Sequence, residues 1–144
     1  MANQDAVSRQ AAMLEGVPLL SGLTQEQLKK VAATGDERMF RSGETIVKEG
    51  DKGPGLYLIR AGGVEVRRSG DRIASLSVGQ FFGESALLVD EPRTADVRAT
   101  TEVRCFALNR WDFWSAMGID PQRNRALYEE TVQRLKTFQS KPID

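Results

Sequence analysis

The chain of 144 residues carries 20 basic and 20 acidic side chains, which give a formal net charge of +0. This balance argues against binding to nucleic acid or to an anionic membrane through an overall positive charge. It contains no histidine, which excludes histidine metal sites, Ser/His/Asp triads and Cys/His dyads, and its single Cys105 excludes an internal disulfide. No signal-peptide pattern and no apolar run of ~20 residues occurs, so we expect a cytoplasmic protein with one domain, 1–144.

Two helices are predicted at the start of the chain. Residues 5–14 have a weakly amphipathic pattern that ends before Gly16. Thr24 and Gln27 have the spacing of a capping box, in which each side chain satisfies a free amide of the other residue. The apolar face that begins at Leu28 then predicts a second helix.

After Gly35 the hydrophobic period changes to about two, which is typical of strands. Val64 and Val66 alternate with polar neighbours, so one face of that strand is expected in a core. Glycine-containing turns separate the segments. The predicted strands are 38–40, 45–48, 56–60, 63–68, 72–76, 96–99 and 103–108. This spacing favours a mainly β fold, an antiparallel jelly-roll barrel over residues 36–108 with helices in 1–35 and 109–139.

Two further helices are predicted at the end of the chain. Asn109 can cap the first, which Gly118 ends, and Asp120-Pro121 has the pattern of a helix start. The apolar stripe of the last helix consists of Tyr128, Val132 and Leu135. A helix of about 19 residues is modest for a coiled-coil dimer, so we expect a monomer.

Residues 79–99, GQFFGESALLVDEPRTADVRA, fit neither a strand nor an ordinary loop. The turn after Gly83 is short and helical, and it offers unpaired amides to an anion. Arg93, held by Pro92, has the donor fork that matches phosphate oxygens. Glu84 can accept from sugar hydroxyls, as acidic residues do in dinucleotide sites. Together these residues indicate a nucleotide-binding site.

Several linked motifs carry a family resemblance that covers almost the whole chain. They are FGESALL at 82–88, PRTA at 92–95, GETI at 43–46, EGD at 49–51 and LYLI at 56–59. In this order the sequence resembles the cyclic nucleotide-binding domain family, which includes the bacterial catabolite activator, protein kinase A regulatory subunits and cyclic-nucleotide-gated channels. Residues 82–95 match its phosphate-binding cassette. Pro54 departs from the usual small polar or acidic residue, and Ser85 from a larger apolar one.

The resemblance implies a role for each matched position. Arg93 and the amides around Gly83, Ala86 and Thr94 would hold the cyclic phosphate, and Glu84 would bind the ribose 2′-hydroxyl. Val66 and Ile73 would line the base pocket, and Thr94 could reach a purine edge. The last helix would close as a lid, with Leu127, Tyr128 or Val132 over the base. The expected ligand-binding residues are Val66, Ile73, Gly83, Glu84, Ser85, Ala86, Arg93, Thr94, Ala95 and Tyr128.

The resulting expectation is a sensor that binds a cyclic mononucleotide and converts binding into movement of the last helix, without catalysis, metal or cofactor. Cyclic AMP is the preferred ligand and cyclic GMP the second choice. The effector would be a protein that the sequence does not identify. The alternatives are an interaction module of the same fold without ligand, and a regulatory fragment of a larger transcription factor, kinase or channel. A cupin enzyme is disfavoured because it would need histidines.

Overall fold

The structure is a computed structural model that describes residues 2–53 and 55–139, with side chains from residue 6 onward. Pro54, at which the chain departs from the family pattern, lies outside the described residues. The helices are α1 (Ala2–Leu14), α2 (Gln25–Ala32), α3 (Arg110–Ala116) and α4 (Arg125–Lys136), with 3-10 helices at Pro18–Gly22 and Glu84–Leu87. The strands are β1 (Asp36–Phe40), β2 (Thr45–Val47), β3 (Gly55–Ala61), β4 (Val64–Arg68), β5 (Asp71–Leu76), β6 (Phe81–Phe82), β7 (Asp96–Ala99) and β8 (Val103–Asn109).

The strands form two four-stranded sheets in which every described pair is antiparallel. One sheet has the order β1-β8-β3-β6 and the other the order β2-β7-β4-β5. The predicted mainly β fold with flanking helices is therefore confirmed. Strand β6 was not predicted, because two residues are too few to show an alternating pattern.

Two hydrophobic cores share the sheet that contains β3 and β8. The first joins the helices to one face of this sheet, where Leu58 and Phe106 are buried beside Trp114. The second lies between the strands of both sheets and includes Ile59 and Val66. Because successive side chains of a strand point to opposite faces, β3 contributes Leu58 to one core and Ile59 to the other.

The predicted caps at two helix starts are confirmed. Thr24 Oγ1 accepts from the Gln27 amide at 3.1 Å, and Gln27 Oε1 accepts from the Thr24 amide at 2.9 Å. At α3, Asn109 Oδ1 accepts from the Asp112 amide at 2.8 Å. Both caps satisfy donors that have no partner within their helix.

The predicted helix start at Asp120-Pro121 is wrong. The Asp120 carboxylate accepts from the amides of Gln122 and Arg123 at 2.9 and 3.3 Å, and these bonds close a turn rather than a helix. They also lower the pKa of Asp120, the Gln122 bond most. Helix α4 begins at Arg125 instead and has 12 residues, so it is shorter than predicted.

Candidate functional site

Residues 82–95, which match the phosphate-binding cassette of the family, begin near Gly83. The main chain of Gly83 lies close to the Arg93 side chain and to Gly55 O. Gly83 has a φ of 83°, in the left-handed region, and caps the 3-10 helix Glu84–Leu87. A Cβ atom at this position would collide with Gly55 O and with the Arg93 guanidinium. Glycine is therefore required here both by conformation and by space.

Arg93 is held through both its main chain and its side chain. Its amide donates to Asp51 O at 2.8 Å, and its carbonyl accepts from the Gly50 amide at 2.8 Å. Its Nη2 donates to Gly55 O at 2.6 Å, and only 4% of the residue is exposed. The guanidinium also lies so close to Gly53 that a Cβ atom there would collide with it. A cation in this position is fixed before any ligand arrives.

Two cavities border Arg93. One, of about 130 Å³, runs along the cassette. Its lining residues are Ser85, Ala86, Val89, Glu91, Pro92, Arg93 and Thr94. The other, of about 380 Å³, includes Lys48, Lys52 and Tyr57. The structure thus brings Ser85, Ala86, Arg93 and Thr94 to one opening.

Glu84 is buried, with 4% exposure, and faces the N-terminal part of the chain. Its Oε2 accepts from the Leu19 amide at 3.2 Å, so the carboxylate ties the cassette to the 3-10 helix Pro18–Gly22. The Ala86 amide donates to Gly83 O at 3.1 Å within the cassette turn. Leu19 was not identified from the sequence as a partner of Glu84, because 65 residues separate the two.

Three side chains from the C-terminal helices hold three successive carbonyls of the cassette. Arg110 Nη1 donates to Ala86 O at 3.1 Å, and Trp114 Nε1 donates to Leu87 O at 2.8 Å. The Tyr128 hydroxyl donates to Leu88 O at 2.5 Å. Arg110 was not predicted from the sequence, although Arg110 and Trp114 have the i, i+4 spacing of one helix face. The cassette is therefore bound to α3 and α4 through its backbone.

The expected lid stripe of α4 packs with the helices in this structure. Val132 is buried in the helical core, and the Tyr128 ring meets the Trp114 ring edge-on with centroids 4.8 Å apart. Burial raises the pKa of the Tyr128 hydroxyl. Tyr128 lines a separate cavity of about 640 Å³ beside Trp111. Leu127 is 40% exposed.

Of the residues expected to line the base pocket, Val66 is fully buried in the core between the sheets, whereas Ile73 is 44% exposed. Ala95, expected only as a ligand-binding residue, is fully buried in the same core. Thr94 is exposed, and its carbonyl accepts from Arg68 Nε at 3.0 Å. Arg68 was not singled out from the sequence, because a charged residue at the end of a strand is common.

Within residues 2–53 and 55–139, no group of three or more acidic or cysteine side chains is arranged to hold a metal ion. In the same part of the chain, no helix is long and apolar enough to cross a membrane. Cys105 is buried, and burial raises the pKa of its thiol to about 12. A thiol with so high a pKa is almost entirely protonated near neutral pH, so it is a poor nucleophile there.

Comparison with known proteins identifies the family of this chain independently of the geometry. A family model described as "Cyclic nucleotide-binding domain" matches residues 37–120. The chain is 44% identical over 109 residues to a cAMP-dependent protein kinase regulatory subunit of Emericella nidulans, across 74% of this chain but 26% of that protein. The chain thus spans about a quarter of the length of this curated relative.

Solved structures show the same fold. A cyclic nucleotide-binding-like protein from Brucella abortus superposes with a TM-score of 0.70 at 24% identity, covering 77% of this chain and 99% of that one. The regulatory domain of Toxoplasma gondii PKA, crystallised with cAMP, gives a TM-score of 0.66 at 27% identity. That match covers 90% of this chain and 51% of the other.

Proposed function

The chain belongs to the cyclic nucleotide-binding domain family, and on that premise we propose that it is a regulatory sensor of a 3′,5′-cyclic mononucleotide, with cyclic AMP preferred over cyclic GMP. The preference for cyclic AMP is supported by relatives whose names include cAMP-dependent protein kinase regulatory subunits. A binding role needs no catalytic group, only a ligand that favours one conformation over another.

The observation that carries this proposal is the position of the Arg93 guanidinium. It is a buried cation, held between glycines and bordering the cavity lined by Ser85, Ala86 and Thr94. A phosphate there would receive a charge-assisted, bidentate pair of hydrogen bonds. Because the cation is already ordered, little conformational entropy is lost when the anion binds.

We assign the ribose to Glu84 and the base to the region of Val66, Ile73 and Thr94. A carboxylate oxygen accepts more than one hydrogen bond, so Glu84 can bind a 2′-hydroxyl while it also accepts from Leu19. The Ala86 amide must leave Gly83 O to reach a phosphate, which would open the cassette turn.

The opening of that turn is the proposed origin of the signal. Arg110, Trp114 and Tyr128 hold its carbonyls, so a change in the turn alters the contacts of α3 and α4. We propose that α4 then moves and that a partner protein in the cytoplasm reads the change.

Isothermal titration calorimetry with cyclic AMP, cyclic GMP and the linear 5′-monophosphates tests the proposal. We expect saturable binding of a cyclic nucleotide and weaker binding of both linear ones, which carry an additional charge and a different phosphate shape. Absence of binding by all four, with a folded protein, would instead favour an interaction module without ligand.

A further inference from the structure

Arg68, at the end of β4, contacts the cassette at Thr94. Its Nε donates to Thr94 O at 3.0 Å, and its Nη2 lies 3.5 Å from Thr94 Oγ1. Arg68 lies two residues after the buried Val66. Its contact with Thr94 places the guanidinium beside the proposed base region.

The direction of the hydrogen bond from Arg68 affects how well the Thr94 hydroxyl can accept from a ligand. A guanidinium has five donors and no acceptor, so Thr94 Oγ1 acts as an acceptor toward Arg68. The oxygen keeps a second lone pair, but a second donor that used it would lie beside the positive charge of Arg68, which weakens the bond it could form. The hydroxyl hydrogen cannot bond to Arg68, because a guanidinium has no acceptor.

Guanine and adenine differ in the hydrogen-bonding groups that they could present to Thr94. The sugar edge of guanine carries a 2-amino donor in addition to the N3 acceptor, whereas adenine has only the acceptor. Resting on the proposed function, we infer that Arg68 is a positioning residue for base selectivity: it makes Thr94 a poor acceptor for the guanine 2-amino group and thereby favours adenine. Without the contact from Arg68, Thr94 would be able to accept from that amino group.

The test measures the affinities of three ligands for matched variants. Cyclic AMP, cyclic GMP and cyclic IMP, which has the guanine keto group but no 2-amino group, are titrated against the unchanged chain and Arg68→Ala. Arg67→Ala is the control, because Arg67 bonds to Glu65 and to Gly70 O rather than to Thr94. We expect Arg68→Ala to bind cyclic GMP about 2- to 10-fold more tightly, a change typical of one hydrogen bond.

The same variant also loses the bond to the Thr94 carbonyl, so the affinities for cyclic AMP and cyclic IMP should change by one common factor, and the gain for cyclic GMP is counted relative to that factor. Arg67→Ala should change none of the three. In a Thr94→Ala background, Arg68→Ala should no longer change the ratio of cyclic GMP to cyclic AMP affinity. A lower ratio of cyclic GMP to cyclic AMP affinity in Arg68→Ala would overturn the inference, since Arg68 would then bind guanine directly. An equal change for all three ligands would overturn it as well, because the role would be purely structural.

These outcomes are separate from failure of the proposed function. If the unchanged chain binds none of the three cyclic nucleotides, the proposed function fails and this inference fails with it. If the unchanged chain binds them and the ratio does not respond to Arg68→Ala, only the role of Arg68 is wrong.

Discussion

The Tyr128 hydroxyl donates to the main-chain carbonyl of Leu88 at 2.5 Å and so joins α4 to the end of the cassette turn. The partners are 40 residues apart in the chain. Helix α4 also buries Val132 and Leu135 against the helical core, and its other face is exposed. A helix held by one face can take a second position at a small free-energy cost.

Tyr128→Phe should therefore shift the proposed equilibrium. If the Tyr128–Leu88 bond belongs to the ligand-free arrangement, its loss destabilises that arrangement by about 0.5–1.5 kcal/mol, and cyclic AMP should bind about 2- to 10-fold more tightly. Thr131→Val is the matched control, because the Thr131 hydroxyl bonds to Leu127 O inside α4 and not to the cassette. Titration calorimetry of both variants gives the comparison.

Hydrogen exchange measures the same motion without substitution. With saturating cyclic AMP, amides in residues 82–95 should exchange more slowly, and those in 121–138 should change their rates because α4 repacks. Protection confined to 82–95, with identical rates in 121–138, would mean that the chain binds its ligand without moving α4. Any signal would then leave through another surface.

Arg93→Ala should cause a large loss of nucleotide affinity. Removing the partner of a desolvated charge costs about 2–5 kcal/mol, which corresponds to roughly 30-fold to a few thousand-fold weaker binding. Arg93→Lys should recover only part, because an ammonium cannot form the bidentate pair. Arg98→Ala, at an exposed position of β7, is the control and should bind normally.

Because Arg93 also donates to Gly55 O, its loss will lower the free energy of unfolding. Thermal unfolding followed by circular dichroism shows whether the variant is folded at the temperature of the titration. Normal affinity in folded Arg93→Ala would disprove the phosphate assignment.

Glu84→Gln separates a ribose contact from a structural one. The amide oxygen of glutamine can still accept from Leu19, but a hydrogen bond to a neutral group is weaker than one to a carboxylate. If Glu84 binds the ribose, the loss should be greater for cyclic AMP than for its 2′-deoxy analogue, by up to about 1.5–3 kcal/mol. Equal losses for both ligands would mean that Glu84 has a structural role and does not contact the ribose.

Cys105 should resist alkylation in the folded protein. Burial raises the pKa of its thiol to about 12, so little thiolate is present between pH 7 and pH 9. Iodoacetamide labelling followed by mass spectrometry should be slow in buffer and fast in denaturant. Rapid labelling of the folded protein at pH 8 would show that β8 opens far more readily than a buried strand should.

Local patterns in the sequence determined most of the fold. Alternating apolar residues identify β4 because a half-buried strand repeats every two residues, and the Thr24–Gln27 capping box identifies α2 because its bonds span three residues. Of the cassette, the sequence predicted the turn at Gly83 and the cation at Arg93. The start of α4 was missed, because Asp120 has the same local pattern whether it caps a helix or closes a turn.

Tertiary structure alone decided which distant groups meet. Glu84 with Leu19 and Tyr128 with Leu88 are pairs that no periodicity relates, since each joins a side chain to a backbone group far away in the chain. Main-chain amides and carbonyls are present at almost every residue, so sequence cannot indicate which of them a side chain will choose. The packing of α3, α4 and the 3-10 helix Pro18–Gly22 against the cassette decides these pairs, and with them the proposed route by which a bound ligand would act on the helices.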